Sequence, residues 1–336
     1  MRGGQVLDVG SKGTLVKMLR SAPESYRESD WGIVRKAGKS FHRLVARSDL
    51  ASQVYFWVMP HISRRLWPAV QQRLRNSINS VAWPNIALRP RSVTLGNHTE
   101  VLLCPHLKEF DIEAALSRRL DYEQEVFAFL ETRMMRYGSV IEVGANVGVF
   151  TLFFAKRLTG KTGPGNIFAF EPSRQAYQRL LQNLEINQIS NVVPFNCAVG
   201  SRLGLFPFFE PAGHLTNGSL DADLARHFAS AVNTLPVLVV DGSFFESLPG
   251  LQDPVLLKID AEGSEAPVLS SLEHFIRSHR PDVVIEVLPQ YEAKLNAVTF
   301  LKRCGYRFFN IAPTGLVAQE GFVAKPSRDY FMTANS

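Results

Sequence analysis

A glycine-rich turn and an acidic strand end follow one another in the middle of this sequence. The stretch VIEVGANVGVFT, residues 140–151, is an apolar run that meets two glycines in the spacing Gly144-x-x-x-Gly148 and then continues with helical spacing. A second apolar run, NIFAFEP, contains Glu171 near its end, 27 residues after Gly144. Glycines let the chain turn tightly and let a ligand approach the backbone, and a carboxylate at the next strand end can accept both hydroxyls of a ribose. The pattern predicts a nucleoside site.

Two more side chains distinguish between nucleoside cofactors. Dinucleotide sites use G-x-G-x-x-G with the pyrophosphate at the helix N-terminus, but here Asn146 stands where the middle glycine would admit the pyrophosphate. Glu142 lies two positions before the turn, where a carboxylate repels a pyrophosphate and can hold a cationic amino group, directly or through water. A nucleoside that carries an amino acid and no phosphate, S-adenosylmethionine, fits both facts. A turn in an α/β core that binds no ligand is the alternative.

Length and composition agree with an enzyme in a reducing compartment. The chain has 336 residues and is 46% hydrophobic, and it holds no run of about 18 apolar residues that would indicate a membrane-spanning helix. The first residues, MRGGQVLDVGSKG, lack the apolar segment of a secretory signal. Cys104, Cys197 and Cys304 lie far apart without a C-x-x-C pair, which favours a cytoplasmic location and disfavours a structural zinc site.

The first part of the chain is strongly basic. Residues 1–91 hold 16 Lys and Arg against 5 Asp and Glu, whereas the remainder holds 21 against 26. The segment VYFWVM, residues 54–59, with Ile62, Leu66 and Trp67, is strongly apolar and is interrupted by Arg64 and Arg65. The pattern fits a helical extension packed on the main domain, or an interfacial helix that contacts an anionic surface. No nucleic-acid-binding motif is present, so a nucleic-acid partner is not expected.

The remaining chain predicts an α/β sheet. The amino-acid composition changes near Pro84–Pro90. We place the boundary between a basic, helical extension, residues 1–95, and a main domain, residues 96–336, close to this segment. Apolar strands alternate with helical patterns, and seven strands are expected, the third of them over 192–199. Such alternation indicates a doubly wound, mostly parallel, Rossmann-like sheet with helices on both faces and ligands at the carboxyl ends of the strands.

Four motifs in this order and spacing resemble the FkbM-type S-adenosylmethionine-dependent methyltransferases: EVGANVGVFT, FAFEPS, LLKIDAEGSE and VVIEV. The resemblance covers roughly residues 98–310 and leaves the basic extension unexplained. Glu142 and Ala261 stand where the commoner family pattern has aspartate and valine. The resemblance implies a class I methyltransferase domain that methylates a hydroxyl oxygen of a sugar or another small metabolite.

The resemblance also implies roles for individual residues. Gly144, Asn146 and Gly148 form the turn around the methionine portion of S-adenosylmethionine, and Glu142 helps to hold its ammonium group. Glu171 binds the ribose hydroxyls. The residues expected near the adenine, at the tip of the third strand, are Asn196 and Ala198. Asp260 ends the fourth strand beside the sulfonium and the acceptor pocket.

Methyl transfer to a hydroxyl needs in-line positioning and a base that takes the proton. Asp260 is the first candidate for this base, Glu262 and Glu286 come next, and His214 in the loop EPAGHLTNGS comes last. No metal is expected, although Asp260, Glu262 and Glu286 are hard oxygen ligands that can also form a cation site.

Two other functions remain alternatives to an O-methyltransferase. One is an NAD-type oxidoreductase on a similar sheet, which Asn146 and Glu142 disfavour. The other is a catalytically inactive cofactor-binding or scaffold protein whose basic extension is the working part. The joint presence of Glu142, Gly144, Gly148 and Glu171 argues against this second alternative.

Overall fold

The computed structural model describes residues 38–158, 166–213, 217–324 and 327–334. These residues fall into two compact units, one with residues 38–89 and 105–118 and the other with residues 90–104 and 119–334. The predicted division into 1–95 and 96–336 stays a prediction. Within the described ranges, no helix is both long and apolar enough to cross a bilayer.

The first unit is helical. Its helices are α1 (residues 38–45), α2 (Asp49–Ser63), α3 (Pro68–Asn79) and the short α4 (Glu113–Leu116), which follows a 3-10 turn (Phe110–Ile112). The side chain of Ser48 caps α2 by accepting from Ala51 N at 3.3 Å, which replaces one of the missing hydrogen bonds of the first turn. A small core holds the unit together, formed by Tyr55, Phe56, Ile78, Ile112, Ala115 and Leu116.

The second unit begins with a hairpin, β1 (Arg91–Leu95) and β2 (Thr99–Leu103), which turns at Gly96–Asn97. Its other strands are β3 (Ser139–Val143), β4 (Asn166–Phe170), β5 (Val192–Phe195), β6 (Ala198–Val199), β7 (Gly204–Pro211), β8 (Val232–Val240), β9 (Val255–Ile259), β10 (Asp282–Glu286), β11 (Arg307–Ala312), β12 (Gly315–Gln319) and β13 (Asp329–Thr333). Its helices are α5 (Gln124–Glu131), α6 (Val149–Leu158), α7 (Arg174–Ile186), α8 (Ala222–Phe228), α9 (Gly242–Phe245), α10 (Glu265–Ser271), α11 (Glu273–His279), α12 (Glu292–Asn296) and α13 (Phe300–Arg303). Two further 3-10 turns are Met134–Arg136 and Pro289–Tyr291.

The main sheet confirms the predicted α/β fold class. Its strand order is β12-β11-β13-β10-β9-β3-β4-β5, and the five strands from β10 to β5 are parallel. Strand β13 lies antiparallel between β10 and β11, and β12 is antiparallel to β11. The part of the sheet that the structure describes has eight strands rather than seven, because β12 returns from β11 as a hairpin.

The third predicted strand is two strands in different sheets. Strand β5 ends at Phe195 in the main sheet, and β6 pairs with β8 in a separate three-stranded sheet, order β6-β8-β7. Between them, Asn196 donates its side-chain amide to the carbonyl oxygens of Glu171 and Pro172, at 2.9 and 3.2 Å. The chain therefore leaves the main sheet at Asn196.

The strand order defines where a ligand can bind. From β3 the chain continues outward through β4 to β5, and it later returns through β9 to the opposite side of β3. The order therefore reverses between β3 and β9, which is the topological switch point where open α/β sheets bind ligands. Every residue of these two strands is buried, so a ligand at the switch point would meet mainly the residues that follow the strand ends.

Candidate functional site

The ends of β3 and β9 touch each other at the switch point. Asp260 N donates to Val143 O at 2.9 Å. Gly144 has a φ of +87°, and a Cβ built on it would lie 1.7 Å from the carbonyl oxygen of Asp260. The close contact therefore requires glycine at position 144 and brings the glycine-rich turn beside the first candidate base.

The turn 144–148 is closed by hydrogen bonds within the protein. The N–H groups of Gly144 and Ala145 both donate to Phe170 O, at 2.9 and 3.0 Å, and Gly148 N donates to Ala145 O at 2.9 Å. Asn146 N donates to the Glu171 carboxylate, and Val147 N donates to the side-chain oxygen of Asn146 at 2.8 Å. All five N–H groups of the turn thus have partners inside the chain.

The second glycine of the turn is also needed for packing. Gly148 has a φ of +89°, and a Cβ there would lie 2.4 Å from Cδ1 of Leu180 on α7. Asn146 adopts a φ of +51°, a left-handed conformation that asparagine tolerates better than most residues. The sequence predicts that both positions are glycine so that a ligand can approach. That is only part of the reason, because neighbouring protein atoms fill the space that a side chain would need at either position.

Glu171 links the end of β4 to the turn. Its Oε2 accepts from Asn146 N and its Oε1 from Ser173 N, both at 2.7 Å. Burial raises the pKa of this carboxyl group to about 7, although the two N–H groups favour its charged form. Each carboxylate oxygen has a further lone pair, so Glu171 can accept hydrogen bonds from two more donors.

Glu142 lies beneath the turn in the core. Its side chain is only 1% exposed, and Thr151 donates to its Oε2 at 2.6 Å. Burial raises its pKa to about 8, against the opposing effect of the Lys258 ammonium group. Glu142 and Lys258 face each other in the register of β3 and β9. Contact between Glu142 and a cationic group of a ligand stays a prediction. Because Glu142 is buried, a contact through water fits better than a direct one.

Lys258 is a residue of the site that the sequence argument missed. It is 3% exposed, donates to Asp260 Oδ2 at 3.0 Å and lies 4.3 Å from the ring centroid of Phe150. Burial lowers its pKa, but the carboxylates of Asp260, Glu123 and Glu142 outweigh that effect and raise the pKa overall. The signal was in the sequence, since the apolar strands VLLKI and VIEV each carry one charged residue.

Further carboxyl groups surround the ends of β9 and β10. Glu262, at a φ of +43°, follows β9, and Glu286 ends β10 opposite Asp329 of β13. Burial and the charge of Asp260 raise the pKa of Glu262 to about 8 and that of Glu286 to about 9. Arg328 lies 3.7 Å from Glu286. The three predicted base candidates thus lie at the carboxyl ends of the neighbouring strands β9 and β10 and interact electrostatically.

Three more acidic residues belong to this part of the site. Glu123, at the start of α5, and Asp329 have pKa values that burial raises, and both interact with Asp260. Glu265 is fully buried, and its Oε1 accepts from Ala261 N and Gly263 N at 3.0 Å each. Glu265 therefore holds the turn after Asp260 in place. Spacing along the chain does not connect Glu123 and Asp329 with the site, because both are distant from Asp260 in the sequence.

Asn196 and Ala198, the two predicted adenine contacts, occupy different environments. Asn196 is exposed at the end of β5 and holds the backbone of Glu171 and Pro172, as described above. Ala198 does not lie at the tip of the third strand, because it belongs to β6 and packs in a small core with Phe208, Val237 and Val239. Their contact with an adenine stays a prediction.

His214 lies outside the described residues. Among the residues that are described, no three His, Cys, Asp or Glu side chains form a group that would hold a metal ion.

Comparisons with known proteins point to one family. The family model described as the methyltransferase FkbM domain matches residues 142–308. "Methyltransferase 1" of Beauveria bassiana is 26% identical over 181 residues, which cover 50% of this chain and 71% of that protein. The "Hexuronic acid methyltransferase AglP" of Haloferax volcanii is 25% identical over 161 residues, which cover 48% of this chain and 61% of that protein.

A solved structure named methyltransferase FkbM, from Methylobacillus flagellatus, is also similar. Its sequence identity is 16% and its TM-score is 0.37, and the match covers 58% of this chain and 43% of the other. The matched family domain begins at Glu142 and ends within β11. It therefore includes the glycine-rich turn, Glu171 and all three base candidates.

Proposed function

This chain belongs to the FkbM methyltransferase family through residues 142–308, and we propose that it transfers the methyl group of S-adenosylmethionine to a hydroxyl oxygen of a sugar or another small metabolite. The observation that carries the cofactor assignment is the Glu171 carboxylate, held between two backbone N–H groups beside the turn. A relative named hexuronic acid methyltransferase supports the sugar class of acceptor.

The donor and acceptor groups of the site fit S-adenosylmethionine better than a dinucleotide. The N–H groups of residues 144–148 already donate within the chain, so this turn offers no amide donors to a pyrophosphate. Glu171 has lone pairs for two ribose hydroxyls, and Glu142 is a carboxyl group beneath the turn whose charged form a bound ammonium group would favour. An uncharged ribose and an ammonium group match this set, whereas phosphates do not.

Each residue of the site would have its own role in binding or positioning. Glu171 would hold the ribose, while Asn196 and Ser173 fix the backbone and carboxylate of Glu171. Glu142, oriented by Thr151, would balance the ammonium group. Bound there, S-adenosylmethionine would supply an electrophilic methyl group on a sulfonium. The ends of β3 and β9 are in contact, so they fix the turn and Asp260 relative to each other, and positioning of this kind supplies much of the acceleration in such transfers.

The proton of the acceptor hydroxyl needs a charged carboxylate nearby. Near neutral pH, Glu262 and Glu286 hold their protons, because burial and the Asp260 charge raise their pKa values to about 8 and 9. Asp260 has the ammonium group of Lys258 at 3.0 Å, which compensates its charge in a buried setting. We therefore assign the general base to Asp260, with Glu262 and Glu286 as the next candidates.

Calorimetry on the purified protein tests the cofactor assignment. We expect S-adenosylmethionine and S-adenosylhomocysteine to bind with a dissociation constant near micromolar, about −8 kcal/mol, and NAD not to bind. Binding of NAD without binding of either adenosyl compound would favour the oxidoreductase alternative and refute the proposal.

A screen with a labelled methyl donor tests the reaction. Neutral sugars, hexuronic acids and other hydroxylated metabolites are incubated with the wild-type chain and with Asp260→Asn. Label transfer by the wild-type chain alone supports an O-methyltransferase, whereas tight cofactor binding without transfer to any hydroxyl compound favours the non-catalytic alternative. A cytoplasmic location stays part of the proposal, in keeping with the wide separation of Cys104, Cys197 and Cys304 along the chain.

A further inference from the structure

Helix α2 is apolar on two opposite sides. On the inner side, Tyr55 and Phe56 are buried in the core of the helical unit. On the outer side, five apolar residues at spacings of one, three and four are between 37% and 72% exposed: Leu50, Val54, Trp57, Val58 and Ile62. Residues at these spacings share one face of a helix. We call these five residues the outer face of α2.

The outer face is larger than chance exposure explains. Single exposed apolar residues are ordinary on protein surfaces, but a continuous stripe marks an interaction site. Two further apolar side chains on α1 are also exposed, Phe41 at 53% and Leu44 at 63%. The ring of Phe41 lies 6.1 Å from that of Tyr55 on α2, so Phe41 packs beside α2.

The surroundings of the outer face are basic. Residues 38–89 contain eight Lys and Arg and a single acidic residue, Asp49. Arg43 is exposed on α1, Arg47 is exposed in the turn after α1, and Arg65 is exposed just after α2. An apolar stripe with a tryptophan and flanking arginines is typical of helices that lie in the interface of a bilayer.

We propose that the outer face of α2 docks this chain on the surface of an anionic lipid bilayer. Leu50, Val54 and Ile62 would enter the boundary between headgroups and acyl chains, and the arginines would contact anionic headgroups. With 15 residues, α2 is about 22 Å long, which is shorter than the roughly 30 Å of the hydrocarbon core. The helix therefore lies along the surface.

Charge distinguishes this occupant from the other candidates. In a twofold dimer the same patch would face itself, so the arginines of one copy would oppose those of the next. Nucleic acid would match the positive charge but would leave the apolar stripe in water. An anionic bilayer matches both the charge and the apolar area.

Co-sedimentation of the full chain with vesicles tests the proposal. We expect binding to vesicles of phosphatidylcholine with phosphatidylserine and little binding to phosphatidylcholine alone, with the difference reduced by salt. Replacing Arg43 and Arg47 by Gln should weaken binding about fivefold for each arginine, since a basic residue near the surface contributes about that factor. Arg226→Gln, which removes an exposed arginine paired with Asp223 on α8, is the control.

A second pair of variants tests the apolar contact. Val54→Ser with Trp57→Ser should weaken vesicle binding about tenfold or more. Leu203→Ser with Leu205→Ser removes apolar side chains that are more exposed than the α2 pair, 64% and 74%, from the three-stranded sheet region, and should leave binding unchanged. Equal melting temperatures of the variants and the wild-type chain check that the fold is intact.

Three results would overturn the proposal. The first is failure of the wild-type chain to bind anionic vesicles at low salt. The second is equal loss of binding in the control pair and the α2 pair. The third is a concentration-dependent dimer that Val54→Ser with Trp57→Ser dissociates while vesicle binding persists, which would assign the outer face to a second copy of the chain.

Discussion

Replacement of Glu171 by Gln separates cofactor binding from folding. The amide keeps the size of the carboxylate but has one acceptor oxygen and an NH2 group. Asn146 N and Ser173 N both donate to Glu171, so one of these N–H groups would face the NH2 group. We expect this to cost about 1–2 kcal/mol of folding free energy. A ribose would lose two charge-assisted hydrogen bonds, about 2–4 kcal/mol, or roughly 30- to 1,000-fold in affinity.

The pH dependence gives a sharper test than the loss of affinity. Burial raises the pKa of Glu171 to about 7, so in the free protein the carboxyl group is mostly protonated below that pH and mostly charged above it. Two hydroxyl donors need the charged form. The affinity for S-adenosylhomocysteine should therefore rise about tenfold from pH 6 to pH 8 and then level off, because only the charged fraction is competent.

Calorimetric titrations at pH 6, 7 and 8 measure this profile for the wild-type chain, Glu171→Gln and the control Glu320→Gln, whose glutamate is exposed. The profile of Glu320→Gln should match the wild type, and that of Glu171→Gln should lack the rise through pH 7. The linkage also has a defined sign for stability. A carboxyl group with a raised folded-state pKa favours the folded state below its unfolded pKa, and this contribution is lost as pH rises through the folded pKa. If Glu171→Gln keeps the wild-type affinity and profile, the ribose is held elsewhere.

Three other substitutions have defined outcomes. Gly144→Ala should lower the free energy of unfolding in urea by several kcal/mol, because its Cβ would overlap the Asp260 carbonyl oxygen and φ is +87°; a fully stable variant would show that the two strand ends can separate. Asp260→Asn should lower turnover about 10²-fold or more with little change in cofactor affinity, and loss of the cofactor instead would make Asp260 a binding residue. Lys258→Met should lower the free energy of unfolding by about 3–5 kcal/mol, because it leaves Asp260 and Glu142 without their buried counter-charge. Chemical denaturation should show a larger loss at pH 8 than at pH 6, and a loss that does not change with pH would contradict the role given to the Lys258 charge.

The sequence predicted the local elements of the site well. The order of strand, glycine-rich turn and helix is present, and Ser173 caps α7 by accepting from Ala176 N at 3.3 Å. These features depend on neighbours in the chain, where spacing and side-chain type carry the information. The same local signals led to the fold class, because apolar strands that alternate with helices have few ways to pack.

Contacts between distant segments were beyond the reach of the sequence. The stretch VVPFNCAV is continuously apolar apart from its asparagine, yet the chain changes sheets at Asn196 because that side chain binds backbone carbonyls of residues 171 and 172. The reason for glycine at 144 is likewise an atom of Asp260, more than a hundred residues away. Spacing along the chain indicates that a position is constrained, but it does not indicate which atoms contact that position in the folded protein.

The choice of base shows how such long-range contacts decide chemistry. From sequence, Asp260 is the first candidate for the base and Glu262 and Glu286 come next, but the sequence does not show which groups lie beside each carboxyl group. In the structure only Asp260 has a buried ammonium group at hydrogen-bonding distance, that of Lys258, and its charge in turn raises the pKa values of Glu262 and Glu286. Burial and the Asp260 charge both favour the protonated forms of Glu262 and Glu286. Under the proposed function, Lys258 would take no part in methyl transfer itself but would hold Asp260, through their ion pair, as the carboxylate that accepts the proton of a hydroxyl.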